Sequence, residues 1–119
     1  MYGLPEDVDL SMFSGCTLES VTFTQNTIHL AFDRSTSITL ESSYAYYSGV
    51  AANAPEHKTV PPVGSQLMRL VGHSVALAAR STQGGLLLQF DDGQSLDILD
   101  DSTEYESFRI TVGDREIVV

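Results

Sequence analysis

Three histidines, one cysteine and a base-free acidic run are the side chains in this 119-residue chain whose types could support chemistry. His29 stands between Ile28 and Leu30 in a segment that reads as a strand, on the face turned away from them, which suits a half-buried residue better than a ligand. His57 lies in Glu56-His57-Lys58, and His73 comes directly after Gly72. None has a second donor two residues away on a strand or four away on a helix, the spacings that put two ligands on one metal. Cys16 leaves no partner for an internal disulfide and excludes a multi-cysteine zinc site. From Asp91 to Glu106 come seven acids (Asp91, Asp92, Asp97, Asp100, Asp101, Glu104, Glu106) and no base. An EF-hand loop needs oxygens at positions 1, 3 and 5 and a glycine at 6, and Asp91-Asp92-Gly93-Gln94 breaks that spacing. Phosphate-binding glycine loops and a nucleophile elbow are missing from the sequence. The expectation is a protein with no catalytic residue, no metal and no cofactor.

Charge narrows the partners. Six Lys+Arg against sixteen Asp+Glu give −10. Phosphate backbones and anionic lipid surfaces are held by clustered Lys and Arg, so neither nucleic acid nor membrane is an expected partner. An acidic surface attracts a basic protein over long range. Asp97, Asp100, Asp101 and Glu104 are the candidate contacts for such a partner. Tyr44-Ala45-Tyr46-Tyr47 is the densest aromatic stretch, suited either to packing or to a ligand patch. The segment Met1–Asp9 lacks the basic flank and apolar block of a secretion signal, so the expected compartment is the cytoplasm.

An internal repeat organises the elements that would position these residues. At an offset of 58, Thr24, Gln25, Leu30, Phe32, Asp33, Ser37 and Tyr47 coincide with Thr82, Gln83, Leu88, Phe90, Asp91, Ser95 and Tyr105. These seven identities in 25 pairs compare with roughly two expected from ordinary residue frequencies. Upstream an offset of 57 matches Gly15 with Gly72 and Cys16 with His73. Two copies are too few for a solenoid, so they should close into one domain about a pseudo-two-fold axis.

Each copy reads as a helical turn, a glycine and a meander of strands. Val75, Leu77, Ala79 and Ser81 alternate with Ala76, Ala78 and Arg80, which predicts one apolar strand face. A two-residue loop at Gln83-Gly84 would pair Ser81 with Leu86 and Ala79 with Leu88. A three-residue loop from Asp91 to Gly93 pairs Leu88 with Leu96 and Leu86 with Ile98, with Gly93 left-handed. Ser35 occupies that glycine's place in the first copy and predicts a longer or strained turn. Further on, Phe108, Ile110 and Val112 should face inward and Ser107, Arg109 and Thr111 outward, with a type II′ hairpin at Gly113-Asp114. Prolines exclude regular structure over most of residues 48–64. Ser65 would cap a short helix over Gln66–Val71, and Gly72 would stop it. The predicted fold is all-β: seven to nine strands in two meander repeats, packed as one antiparallel barrel or sandwich with two short helical turns. Its single domain would span 1–119, with repeats over about 10–47 and 65–112 and a C-terminal strand over 115–119.

Leu67-Met68-Arg69-Leu70-Val71-Gly72, Phe90-Asp91-Asp92-Gly93, Asp100-Asp101 and Tyr105-Glu106-Ser107-Phe108 together resemble a pattern of small uncharacterised bacterial β domains. Some acidic members of that group are similar to immunity proteins encoded beside secreted toxins. The resemblance implies a non-enzymatic binding module that neutralises a basic partner. The alternative is a small-ligand or metal-binding β-barrel with at most weak activity, drawn from Tyr44, Tyr46 and the matched Cys16 and His73. A homodimer is also expected. Leu87 projects opposite Leu86 and Leu88, and Ala76 and Ala78 would flatten the same outer face for close approach.

Overall fold

A computed structural model describes residues 3–41, 43–48, 66–81, 84–100 and 107–119, and the backbone of 56–58. Ten strands are described: β1 Leu18–Phe23, β2 Ile28–Phe32, β3 Thr36–Leu40, β4 Tyr44–Tyr47, β5 Glu56–Lys58, β6 Val75–Arg80, β7 Leu86–Phe90, β8 Ser95–Ile98, β9 Phe108–Val112 and β10 Arg115–Val118. Single 3-10 turns, Ser11–Phe13 and Gln66–Leu70, stand where each copy begins. The strands form two five-stranded antiparallel sheets in the orders β1-β2-β3-β9-β10 and β5-β4-β8-β7-β6, a sandwich rather than a closed barrel. The strand count exceeds the sequence expectation because Glu56-His57-Lys58 pairs with β4 inside the proline-rich connection. It does so at a sheet edge, as a strand of three residues.

The pseudo-two-fold is visible in the pairing. Each copy lays three consecutive strands in one sheet and sends its next hairpin to the other. Thus β4 completes the sheet of β6–β8, and β9 completes that of β1–β3. Along the axis Thr17 and Ser74 form an antiparallel bridge. The Gly15 N–H donates to the Val75 carbonyl at 2.8 Å and the Gly72 N–H to the Leu18 carbonyl at 2.7 Å. The Leu18 N–H likewise reaches the His73 carbonyl at 3.0 Å, and the Val75 N–H the Cys16 carbonyl at 2.7 Å. Each bond is the image of its partner under the 57-residue offset.

Several registers agree with the sequence expectation. Leu88 pairs with Leu96 and Leu86 with Ile98, with Gly93 at φ 93°. The Val112–Arg115 hairpin has Gly113 at φ 60°. Other registers differ. A bulge between Val75 and Leu77, mirrored between Leu18 and Ser20, inserts one residue and reverses the facing of the rest of the strand. Leu77 is therefore half exposed, while Ala78 turns inward against the core, so Ala78 does not belong to the outer face. The β6–β7 loop is three residues long, not two: Ser81 bonds to Gly85 and Arg80 pairs with Leu86. A Cβ on Gly84 would come within 2.7 Å of the Gly3 Cα, and the Leu4 N–H donates to the Gly84 carbonyl at 2.8 Å. The matching β1–β2 turn is instead held from within, Thr24 and Thr27 joining through their hydroxyls at 2.6 Å.

Between the sheets lies one core fed by both copies. Leu18, Ile28, Leu30 and Ile38 meet Leu86, Leu88, Leu96 and Ile98 there, with Phe13 edge-on to Phe32. Tyr44 and Tyr46 are buried in the same core, which removes them from any exposed ligand patch. Ser107 is also buried, against its expected outward facing. It precedes β9, and its hydroxyl donates to the Asp100 carboxylate at 2.6 Å. Among the described residues no helix is long and apolar enough to cross a membrane.

Candidate functional site

Where the two copies meet, two equivalent turns bring polar side chains of both copies to the axis. The first is Asp33-Arg34-Ser35 between β2 and β3, and the second Asp91-Asp92-Gly93 between β7 and β8. In both, the leading aspartate serves the axis. The Thr17 N–H donates to Asp33 Oδ1 at 3.1 Å and the Ser74 N–H to Asp91 Oδ2 at 3.4 Å. The Thr17 and Ser74 hydroxyls join across the axis at 2.9 Å. These aspartates satisfy backbone donors at the strand starts, an assignment that holds in both copies and belongs to the fold.

The second turn carries more than the fold asks. His73 Nδ1 lies 3.1 Å from Asp91 Oδ1, and Nε2 lies 3.4 Å from Asp92 Oδ2. His73, Asp91 and Asp92 each bring a ligand atom within 4.8 Å of the others, so they are the described residues that could hold a cation. Gln94 backs the group from below. Its side-chain N–H groups donate to Asp92 Oδ2 at 2.6 Å and to the Arg69 carbonyl at 3.1 Å. Its Oε1 accepts from the buried Tyr46 hydroxyl. Burial works against a charge on Asp92, but the Gln94 bonds and the neighbouring His73 ring outweigh it and hold this carboxyl below the usual carboxylate range.

The equivalent positions in the first copy are different in kind. Cys16 is buried, its thiol donates to the Met12 carbonyl at 3.1 Å, and burial, reinforced by nearby Asp33, pushes it up. A buried protonated thiol directed at the Met12 carbonyl is not activated by His73, whose ring is held by Asp91 and Asp92. Arg34 stands where the second copy has Asp92, and its guanidinium donates to the Ser14 carbonyl at 3.3 Å.

The acidic candidates from the sequence separate. Asp97 is not on a turn. It sits mid-strand on the outer face of β8, half-buried, with Oδ1 lacking a hydrogen-bond partner, and burial pushes its carboxyl up. Asp100 is half-buried too. Burial raises its carboxyl, yet hydrogen bonds including that of Ser107 bring it below the ordinary value. Asp101 and Glu104 lie outside the described residues, as does the expected Ser65 cap. Leu87 is half-buried and Ala76 exposed at the bulge. His29 lies on the outer face with Nδ1 3.0 Å from the Thr39 hydroxyl.

Sequence reasoning missed Gln94 and the gathering of His73 with Asp91. The available signal was the repeat itself: Gln94 replaces Thr36, and His73 replaces Cys16 beside a shared aspartate. No curated protein and no solved structure matches the chain. A family model does match, over residues 10–119, which takes in both copies, the paired turns and the C-terminal strand. The chain belongs to a family of unknown function, DUF6188.

Proposed function

We propose that this protein is a non-enzymatic binding module that receives a basic protein on its acidic turns, with neutralisation of a toxin as its most concrete form. The observation that carries the reading is the distribution of charge. In the strands, Lys58, Arg80, Arg109 and Arg115 balance Glu19, Glu56, Asp97 and Glu116. The net charge of −10 is therefore carried outside the described strands, by Glu6, Asp7 and Asp9 ahead of β1 and by the segments between strands. Acids carried on turns reach furthest into solvent and steer an oppositely charged partner most strongly. Asp91 and Asp92 are exposed and fit this role, whereas the half-buried Asp97 and Asp100 fit it less well. The toxin reading rests on the resemblance carried by the Asp-Asp-Gly and Tyr-Glu-Ser-Phe segments.

Association with a lysine-rich peptide, measured at low and at high salt, tests the reading. Binding should weaken steeply with salt, and Asp91→Asn with Asp92→Asn should slow association by roughly tenfold. Equal binding of an uncharged peptide of the same length would overturn it. A large rise in melting temperature with one divalent metal ion, lost in Asp92→Asn, would favour the ligand-binding rival.

A further inference from the structure

The internal symmetry shows which features the fold itself requires, and one end of the second copy departs from it. This end lies across β7 from the Asp91–Gly93 turn. The β1–β2 turn is tied by its own threonine hydroxyls, whereas the β6–β7 loop also reaches outside itself, to residues 3 and 4. Three positions make that contact, and none has a like residue in the first copy. Arg80 stands in the strand register of Phe23, and its Nε–H donates to the Leu4 carbonyl at 2.7 Å. Gly84 stands at the offset of Asn26; its carbonyl accepts from the Leu4 N–H, and its bare Cα lets Gly3 approach. Asp100 stands at the offset of Ser42, and its carboxylate accepts from the Gly3 N–H. Together they bond two N–H groups and one carbonyl of a dipeptide. The Leu4 side chain, 1% exposed, is seated in the shared core. Hydrogen bonds to a main chain and a socket for one apolar side chain are what a peptide-binding site is made of.

We propose that Arg80, Gly84 and Asp100 form a peptide-binding site, closed in cis by residues 3–9, a strap that leaves without unfolding the sandwich. Its ligand class is a short peptide in which a glycine precedes a large apolar residue. The glycine is demanded because Gly3 has φ 76° and a Cβ there would come within 3.0 Å of the Gly84 Cα. The strap is attached locally. Leu4 is its buried residue, while Pro5, Glu6, Asp7 and Asp9 are exposed. The ten described strands and both 3-10 turns all come after it, and the family match begins at residue 10. The elements that build the sandwich are therefore complete without it. A segment held at one point and exposed beyond it opens at lower cost than strands paired into a sheet. Release uncovers the Leu4 socket, and a competing peptide then has only the strap's local concentration to overcome.

Peptide binding by the full chain tests it. Gly3→Val together with Leu4→Asp should unseat the strap and leave the site intact. A synthetic peptide of residues 1–9, titrated by calorimetry, should bind this variant at least about tenfold more tightly than it binds the wild-type chain. Adding Arg80→Ala should weaken that binding by about tenfold, through loss of the charged hydrogen bond to the leucine carbonyl. Hydrogen exchange on the unaltered chain gives an independent reading: the Leu4 amide should exchange about a hundredfold faster than the amides of β7. A strap variant that folds but takes up no peptide would overturn the proposal, as would equal binding to the wild-type chain. So would a variant that does not fold, or a Leu4 amide that exchanges only with global unfolding, since the strap would then be part of the sandwich.

Discussion

The turns at Asp33–Ser35 and Asp91–Gly93 have one register and two chemistries. Both loops are three residues long, and both begin with an aspartate bonded to the strand start at the axis. Beyond that aspartate they part. The first copy holds Arg34 at φ 59° and Ser35 at φ 56°, a conformation unfavourable to side chains, while the second uses Gly93. The first presents a cation and hides a thiol; the second presents two carboxylates and an imidazole. What is common is what the sandwich needs. What differs is free of that need, which is why the second turn is the better place to look for a partner.

The largest effects should come from the core that both copies share. Leu30→Ala and Leu88→Ala remove equivalent, fully buried leucines from the two copies. Each should cost about 2–5 kcal/mol in urea unfolding, with both copies melting in one transition. Two separate transitions would show the copies to be independent units. Asp33→Ala should cost about 1–3 kcal/mol, because the Thr17 N–H loses a charged acceptor. Asp91→Ala should cost less, since its bond to Ser74 is longer and its side chain is 53% exposed. The reverse order would mean that the two aspartates are not doing the same job.

Smaller differences separate the turns themselves. Ser35→Gly relieves a left-handed φ and should stabilise the protein by about 0.5–1 kcal/mol, while Gly93→Ala should destabilise it by a similar amount. Differential scanning calorimetry of the pair would show both signs. The smallest effect belongs to Asp97. Its carboxyl is raised in the folded state, so the folded protein binds a proton more tightly there than the unfolded chain does. That group's contribution falls as pH rises from the unfolded carboxylate value, near about 4, through the raised folded value. Asp97→Asn should therefore stabilise the protein at neutral pH, and the gain should vanish on acidification below about pH 4. A constant gain across that range would assign the effect to something other than titration.

Much of this architecture was legible in the sequence where local chemistry specifies it. The Asp91–Gly93 loop was set by the need to keep Leu86 and Leu88 on one face with Leu96 and Ile98, and the structure has that register. The bulges after Leu18 and Val75 were not legible. Glu19, Ser20, Ala76 and Leu77 include neither the glycine nor the proline that marks an irregular strand, and Val75-Ala76-Leu77 alternates as a regular strand would. The exchange of hairpins between sheets was also hidden. It depends on which distant edge accepts β4 and β9, and no short-range pattern records that choice. The gathering of His73 with Asp91 and Asp92 comes instead from the β6–β7 hairpin, whose Val75–Phe90 pairing brings the residues ahead of one strand beside the turn after the other. It was visible only as matched repeat positions, without a metal-type spacing inside either segment.

The hairpin exchange has a consequence for how the chain is made. Ile38 faces Ile110, so β3 keeps an open edge until β9 has been synthesised. At ordinary elongation rates that interval is on the order of several seconds, far longer than a hairpin needs to form. During it, the nascent β1–β3 meander carries an unfilled row of backbone donors and acceptors, and its apolar face still lacks the second sheet. The order of synthesis thus makes the first copy wait for the end of the second, and the ribosome-bound half-protein is the state most exposed to mispairing with its neighbours on a polysome.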